Sequence, residues 1–345
     1  MVRRACFGLA VLRAMAVLVV ASLTALPVHA HEVRPGHIGI EETARDNFEI
    51  VWKQPVRDLG PGQVAGLGLR PVFPENCVRA GDSLVQRRPG LLVERFRLTC
   101  TGGLMGREMG VEGLQRTITD VFVDLRELNG NQAGMRLTAE RPMQTFAGGG
   151  THLRAYFGLG VEHLIFGFDH ILFVLGLVML VRDLRRLVYV ITAFTLAHSL
   201  TLALSMLGNV SAPSSVVEAI IALSILFLAV ELSLPEEKRS PLATRFPQAV
   251  AFGFGLLHGF GFAGVLGDIG LPRDLAVSAL ALFNIGLEAG QLLVVAGALV
   301  AGHYLRPVID KRPVLAEAPI VVIGGVSVYW LIERSLGFFP GILLG

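Results

Sequence analysis

The sequence predicts a mainly α membrane protein, in which a six-helix transmembrane bundle follows a small β-rich exported domain. Three observations predict this fold class. The 345 residues have a mean hydropathy of +0.60 and only 17% charged side chains, which is typical of membrane proteins. After residue 156 the chain is a series of apolar runs of about 20 residues or more, the length that crosses a bilayer as a helix. The preceding part has short alternating runs separated by Gly and Pro, which favour strands and turns.

Residues 1–30 have the pattern of a signal peptide. Arg3 and Arg4 form a basic start, an apolar stretch follows, and Val28-His29-Ala30 supplies small residues where a signal peptidase cleaves. Cleavage there makes His31 the first residue of the mature chain. An uncleaved signal anchor is the alternative interpretation.

Residues 31–147 are predicted to form the exported domain, a small β-sandwich or barrel. Three stretches alternate apolar and polar side chains as half-buried strands do: Phe48–Lys53, Leu92–Thr99 and Val121–Leu125. A Gly-rich linker over 148–156 then leads into the transmembrane domain, 157–345.

Cys77 and Cys100 are the two cysteines that remain after the signal peptide. An even pair in an exported segment predicts a disulfide, and closing a loop of this size stabilises by about 3 kcal/mol in the chain-entropy model. A thiolate metal site is the alternative, although the C-x-x-C spacing of such sites is missing.

His31 and His37 are candidates for metal capture by the exported domain. If His31 is the mature N-terminus, its α-amine and ring can chelate copper or nickel, with His37 as a further ligand. The simpler interpretation is a solvated N-terminus without a metal.

The apolar runs predict six spans: 157–181, 188–207, 215–233, 248–268, 275–304 and 318–338. Basic residues follow the first, third and fifth spans: Arg182, Arg185, Arg186, Lys238, Arg239, Arg245, Arg306, Lys311 and Arg312. The two other loops hold only Arg273. Because positive charge marks the cytoplasmic side, we expect a multi-pass protein of the inner (cell) membrane with its exported domain in the periplasm. Three spans followed by three also permit a 3+3 inverted repeat.

Four ionisable residues interrupt the first apolar run: Glu162, His163, Asp169 and His170. A charged side chain costs about 2.5–3.5 kcal/mol at the bilayer centre, so such residues are functional candidates. On one helix, the seven-residue spacing of the two histidines puts both on one face. Imidazoles beside carboxylates suit a borderline divalent metal. Hydrogen bonding to other helices is the alternative role.

Later spans carry further polar residues at similar depth. At a rise of 1.5 Å per residue, His198, His258 and Glu288 each fall roughly 15 Å from their span ends. With His163 and His170 they predict a ladder of metal ligands through the bilayer. Supporting polar groups are predicted next to them: Thr195 and Ser199 in the second span, Glu218 at the start of the third, and Asn284 and Gln291 beside Glu288 in the fifth.

These residues resemble the HupE/UreJ family, permeases associated with nickel supply to hydrogenase and urease. The motif His163-x3-Gly167-x-Asp169-His170 is similar to the family's first-helix signature. Other stretches resemble its second-branch members: His31-Glu32-Val33-Arg34-Pro35, Ala197-His198-Ser199-x-Thr201, Leu257-His258-Gly259-Phe260-Gly261 and Phe283-Asn284-x-Gly286-x-Glu288-x-Gly290-Gln291. The usual Pro after the first His is Leu164 here, which implies a straighter helix at that point.

The resemblance implies a permease that imports a divalent metal ion, with Ni²⁺ as the default cargo, Co, Cu or Zn as other candidates, and a metalloenzyme maturation system as partner. No tightly bound cofactor is expected, and a net charge of +2 gives no indication of a nucleic-acid partner. An intramembrane zinc-dependent hydrolase is one alternative. Against an enzyme, neither Gly-x-Ser-x-Gly nor His-Glu-x-x-His occurs. A metal-binding accessory or scaffold protein is the other alternative.

Overall fold

A computed structural model describes residues 35–58, 64–88, 91–117, 119–147, 153–208, 210, 212–269 and 273–336. The predicted signal peptide and His31 lie outside these residues. The described residues fall into two compact units, one comprising the strands and the other most of the helical residues from Tyr156 onward. The structure therefore has the predicted β-rich N-terminal region and a mostly helical C-terminal part.

The strands form two sheets. The described strands are β1 Gly36–Ala44, β2 Asn47–Asp58, β3 Val64–Gly66, β4 Arg70–Val72, β5 Cys77–Arg88, β6 Leu91–Cys100, β7 Glu108–Glu112, β8 Val121–Arg126, β9 Gln132–Leu137 and β10 Met143–Thr145. The larger sheet has the order β5-β6-β2-β1-β8-β9 with β3 on β2, and the smaller has the order β10-β7-β4. Strand β1 pairs in parallel with β8 and antiparallel with β2.

A single apolar core joins the two sheets. Trp52 and Phe48 of β2 are about fully buried, and Met109 of β7 packs into the same core from the smaller sheet. Apolar and polar residues alternate along the stretches that predicted β2, β6 and β8. The alternation arises because successive side chains of a strand point to opposite faces of the sheet, and one face lies against that core. Cys77 and Cys100 are direct partners on β5 and β6 and form the predicted disulfide.

The C-terminal part contains eight described α-helices. They are α1 Leu153–Phe166, α2 Phe168–Leu180, α3 Leu184–Gly208, α4 Ser214–Ser233, α5 Pro241–Arg245, α6 Pro247–Ile269, α7 Arg273–Lys311 and α8 Ala318–Leu336. Among the described residues, α3, α4, α7 and α8 are long and apolar enough to cross a membrane, and α1 with α2 adds a fifth span if the bent pair counts as one. The chain is thus a multi-pass membrane protein by length and composition, and the count of six spans stays a prediction.

Helix α1 runs through Leu164 without a break, but the first span as a whole is not one continuous helix. It breaks at Gly167 into α1 and α2, which meet at an angle of 74°. Gly167 has φ −81° and ψ 88°, outside the helical region. Leu164, in place of the Pro usual in the resembled family, does not prevent the break. The break lies three residues further on, at Gly167, where the lack of a side chain allows a non-helical backbone conformation.

Glycines set the closest helix contacts. A Cβ on Gly160 of α1 would overlap the carbonyl oxygen of Phe283 in α7, and one on Gly286 would overlap that of Phe157. In the same way, a Cβ on Gly255 of α6 would overlap the carbonyl oxygen of Phe194 in α3. Backbones approach this closely only where small residues allow it. Helices α1 and α7 thus pack directly together, as do α3 and α6, while α4 packs along α8.

Candidate metal centre

The break at Gly167 brings the two histidines of the first-span motif together. Its N–H still donates to the His163 carbonyl oxygen at 3.0 Å, so α1 ends there, and α2 begins at Phe168. The rings of His163 and His170 lie 4.8 Å apart, edge to face. On a straight helix the two residues would be about two turns, or roughly 10 Å, apart along the axis. The bend, rather than the helical repeat, therefore makes them neighbours.

Three histidines from α1, α2 and α3 form a compact cluster. One ring nitrogen each from His163, His170 and His198 lies within 4.8 Å of the other two. The ring of His258, on α6, lies 5.0 Å from that of His170. His170, His198 and His258 are buried, and His163 is partly buried. The bend thus gathers three of the predicted ligands into one group, instead of leaving His163 and His170 two turns apart along a straight helix.

Neighbouring groups fix which nitrogen of His170 and His198 carries the proton. His170 Nδ1 lies 3.0 Å from Asp169 Oδ1, and because a carboxylate only accepts, the ring must donate. His198 Nδ1 lies 3.2 Å from Asn284 Oδ1, while Asn284 Nδ2 donates to the Leu280 carbonyl oxygen at 2.8 Å. That second bond orients the amide, so His198 also donates from Nδ1. Nε2 of both rings is left as an acceptor.

Ser224 of α4 fixes the tautomer of His258, in which Nε2 rather than Nδ1 carries the proton. The Ser224 hydroxyl donates to the Ile221 carbonyl oxygen at 2.6 Å, so its oxygen accepts from His258 Nε2 at 3.1 Å. Nδ1 is then the free acceptor of His258. Ligating histidines in metal sites use this arrangement, in which the distal N–H donates to an oxygen and the ring is held in one orientation.

In these four rings of the helical part, one nitrogen each is buried without a hydrogen-bond partner among the described residues: His163 Nε2, His170 Nε2, His198 Nε2 and His258 Nδ1. Leaving a buried acceptor unpaired costs about 1–3 kcal/mol. Two nitrogens that bind one ion at about 2.1 Å lie about 3.3–4.2 Å apart, so movements of about 1 Å would let the three clustered nitrogens share an ion. The donor set is neutral imidazole, which suits Ni, Co, Cu and Zn.

The predicted carboxylates do not join the histidine cluster. Asp169 lies against it but is engaged by His170, whose backbone N–H also donates to its Oδ1 at 2.9 Å. Glu288 is partly buried, and its Oε1 accepts from Thr192 Oγ1 at 2.6 Å. Glu162 is partly buried in α1 and lies outside the cluster. The predicted direct ligation by Asp169 and Glu288 is not what this geometry favours.

The remaining predicted supporting residues form a polar seam between α3 and α7. Thr195 Oγ1 lies 2.8 Å from Gln291 Oε1, to which it can donate, and Ser199 Oγ donates to the Thr195 carbonyl oxygen at 2.7 Å. Asn284, on the same helix as Gln291, connects this seam to the cluster through its hydrogen bond with His198. Thr192, which pairs with Glu288, extends the seam and was missed in the sequence, although it is the residue three before Thr195 and shares its helix face.

Two predicted site residues lie away from the cluster. Glu218, at the start of α4, faces Arg334 of α8, whose Nη1 donates to the Glu218 carbonyl oxygen at 2.9 Å and whose Nε lies 3.7 Å from Glu218 Oε2. His37 of β1 is buried, and its Nε2 lies 2.9 Å from Asp124 Oδ2. Its proposed partner in metal capture, His31, lies outside the described residues.

Sequence reasoning also missed Ser224 and the aromatic rings that surround the histidines. Ser224 stands alone in the apolar run Ala222–Leu228, so nothing in the sequence links it to His258. Phenylalanines are ordinary residues of an apolar span. Only the pairing of helices shows which of them contact the cluster.

The comparison with protein families matches residues 139–334 to the family described as HupE / UreJ protein, which is more than half of the chain. The chain belongs to this family. The match covers every residue of the histidine cluster and the seam, but only the last part of the β-rich region. A search of curated proteins finds no match. HupE/UreJ membership and the apolar helices are together consistent with membrane transport of a metal.

Proposed function

We propose that this HupE/UreJ protein is an inner-membrane permease that imports a divalent transition-metal ion, with Ni²⁺ as the first candidate. The observation that carries the proposal is the convergence of four histidines in the helical part, each with a buried ring nitrogen that has no hydrogen-bond partner among the described residues. In three of these rings the other nitrogen donates to an oxygen. Such rings are held ready to accept a cation.

In this mechanism His163, His170 and His198 bind the ion together, and His258 takes part as it moves on. Asp169, Asn284 and Ser224 orient three of the rings and do not bind the metal. Neutral imidazoles neither repel a divalent ion nor hold it as tightly as thiolates would, which suits a site that must release its cargo. Glu288 and the seam of Thr192, Thr195 and Gln291 then offer oxygen atoms to the departing ion.

The driving force in this proposal is the membrane potential or an ion gradient. A divalent cation that enters a negative interior gains about 4.6 kcal/mol per 100 mV. In this proposal those helix ends that carry basic residues lie in the cytoplasm, namely between α2 and α3, around α5 and at the end of α7, because positive charge favours that side. The β-rich region then lies in the periplasm, where it meets the incoming metal, and a metalloenzyme maturation system receives it inside.

The helix pairing supports six spans arranged as a 3+3 inverted repeat. The first half consists of the bent α1–α2 pair, α3 and α4, and the second of α6, α7 and α8. If the two halves are interchanged, the α1–α7 contact takes the place of the α3–α6 contact. Both contacts depend on glycines at which a Cβ would overlap the backbone of the other helix. The same exchange maps the α4–α8 contact onto itself. Inverted repeats of this kind carry their substrate sites near the midplane.

The test is metal accumulation by inductively coupled plasma mass spectrometry in cells that express the protein. Wild type, His163→Ala and His170→Ala are compared across Ni, Co, Cu, Zn and Mn, with membrane levels of each protein measured in parallel. We expect one metal to rise in the wild type and to stay at background in both variants. Unchanged uptake in both variants, at equal membrane levels, would refute the proposal.

Metal analysis of the purified wild type separates the zinc-hydrolase alternative. A resident zinc ion would remain with the purified wild type at about one per chain and would not exchange with added nickel. A transported ion exchanges with a competing metal. Tightly held zinc without accumulation of any metal would therefore favour the enzyme.

A further inference from the structure

Four phenylalanine rings enclose the histidine cluster. Phe173, Phe194, Phe262 and Phe283 are each at most 3% exposed. Each of them lies within 6.5 Å, centroid to centroid, of at least one histidine ring. The closest contact is between His163 and Phe262, at 4.0 Å. Burial of these rings is expected in any apolar bundle, so their arrangement is the informative feature.

The four rings form two pairs. Phe262 of α6 and Phe283 of α7 are stacked, with centroids 5.0 Å apart and planes 7° apart, and both contact His163. Phe173 of α2 and Phe194 of α3 have centroids 5.1 Å apart, and both contact His258. Each pair joins two neighbouring helices across the space next to the cluster.

The two pairs lie on opposite sides of the cluster along the helices. Arg186, near the start of α3, donates to the carbonyl oxygens of Thr244 and Arg245 just before α6, at 2.9 and 2.6 Å. Helices α3 and α6 therefore begin at the same end, which we call the basic end. Phe194 precedes His198 in α3 and so lies on the side of the basic end.

The same reasoning orders the other three rings. Phe173 follows His170 toward the end of α2, which leads into the start of α3, so it also lies on the side of the basic end. Phe262 follows His258 toward the end of α6, and Phe283 lies near the start of α7. The stacked pair is thus on the far side of the cluster.

We propose that these pairs are the two gates of the transport cycle: Phe262–Phe283 closes the cluster toward the periplasm, and Phe173–Phe194 closes it toward the cytoplasm. This inference rests on the proposed function. A hydrated divalent ion does not pass a constriction lined only by apolar rings, since such constrictions exclude water. With both pairs closed, the structure is the occluded state, in which the cargo site meets neither side.

The positions of the gates agree with an inverted repeat. Phe173 and Phe194 belong to the first and second spans of the first half, whereas Phe262 and Phe283 belong to the first and second spans of the second half. Exchanging the halves therefore exchanges the gates. In transporters built from inverted repeats, the inward-open state corresponds to the outward-open state with the halves interchanged, so one gate on each half is the arrangement expected.

The break at Gly167 supplies a hinge for this motion. Helix α1 carries His163, which touches the periplasmic pair, and α2 carries Phe173 of the cytoplasmic pair. Because no continuous helix joins them, α1 and α2 can tilt separately about Gly167. One gate can then open while the other stays closed, and the histidines on either side of the hinge follow their own gate.

The experiment times the release of bound radioactive nickel to an external chelator, using full-length protein in right-side-out and inside-out membrane vesicles. We expect Phe262→Ala to accelerate release about tenfold or more in right-side-out vesicles and to leave inside-out vesicles at the wild-type rate, because one gate is opened. Phe194→Ala should do the reverse. Phe252→Ala, at an exposed position of α6, is the matched control and should match the wild type on both sides.

Phe262→Leu and Phe194→Leu follow the same design with less loss of volume, in case the alanine variants fail to assemble. A smaller one-sided acceleration is expected from them. Wild-type release rates in all variants would contradict the assignment of the two gates. Equal acceleration in both kinds of vesicle would also contradict it, because a site that is merely loosened releases nickel to both sides. Nickel binding that depends on His170 would then still support the proposed function, whereas a wild type that holds none of the five metals would overturn both.

Discussion

Among the described residues, two buried histidines each pair with an aspartate, and the two pairs differ in their surroundings. His37 pairs with Asp124 in the β-rich region, and His170 pairs with Asp169 in the helical part, at 2.9 and 3.0 Å. In each ring the other nitrogen is buried without a hydrogen-bond partner among the described residues. The pair alone is thus not what indicates a metal site.

The difference lies in what surrounds the free nitrogen. His170 Nε2 is in a cluster to which α1, α3 and α6 each bring a histidine. In the part of the chain that the structure describes, no other group of three His, Cys, Asp or Glu ligands includes His37. An aspartate that orients a histidine becomes informative only where other ligands converge, and convergence depends on the tertiary fold.

Removing a clustered histidine should have the largest effect. His198→Ala is expected to lower nickel affinity by about 100-fold or more, since loss of a ligand exceeds the 10–100-fold effect of losing a partner that orients one. Isothermal titration of purified protein measures it. His303→Ala, at an exposed histidine of α7, is the control and should bind as the wild type does. Equal nickel affinity of H198A and wild type would contradict the proposal that the histidine cluster binds the metal.

The orienting carboxylate should come next. Asp169→Asn is expected to weaken nickel binding by about 10–100-fold, because the charge that fixes the His170 tautomer is lost. Asp124→Asn makes the same change in the other pair and should leave nickel affinity unaltered. A similar loss in both variants would mean that the two pairs are not different in the way described.

The break in the first span can be tested at Gly167. A Cβ there would lie 2.6 Å from the His163 carbonyl oxygen and 3.0 Å from His170 Nδ1. Overpacking of this kind costs about 1–3 kcal/mol, so Gly167→Ala should lower nickel affinity by about tenfold. Gly297→Ala in α7, where a Cβ would meet nothing within 4 Å, should have no effect. Normal affinity in G167A would argue against the tight packing around the hinge.

Substitutions in the β-rich region should have the smallest effect on nickel affinity and a measurable effect on the stability of that region. Replacing both Cys77 and Cys100 by Ser is expected to destabilise that region by about 3 kcal/mol without changing nickel affinity. Hydrogen exchange of the full-length protein, followed separately on strand and helix peptides, measures both units at once. Faster exchange in the helices would show that the disulfide supports more than its own sheet.

Much of the fold follows from local pattern. Alternation in β2 and β6 comes from a sheet with one face in a core, and apolar length in α3, α4 and α7 comes from the bilayer. Both are properties of short stretches, which a sequence displays directly. The disulfide was predictable for a related reason, because two cysteines in a segment that is predicted to be exported have few alternatives.

The site was predictable in its residues but not in its arrangement. His163, His170, His198 and His258 stand out as polar groups in apolar runs. The helical repeat, however, puts His163 and His170 two turns apart, and only the break at Gly167 brings their rings to 4.8 Å. Three of these rings have a described partner that orients them. For His170 it is the adjacent Asp169, whereas for His198 and His258 it lies on another helix, so these two pairings depend on which helices are in contact.

The break also has a consequence for how the protein enters the membrane. Helix α2 has 13 residues and α1 has 14, so each is about 20 Å long, shorter than the hydrocarbon core of about 30 Å. With Glu162 and Asp169 also present, this segment is a weak signal for the translocon by itself. We therefore expect stable insertion to depend on α3, the next helix in the chain, which also brings His198 into the bilayer. Biogenesis and the assembly of the histidine cluster are in this way one event.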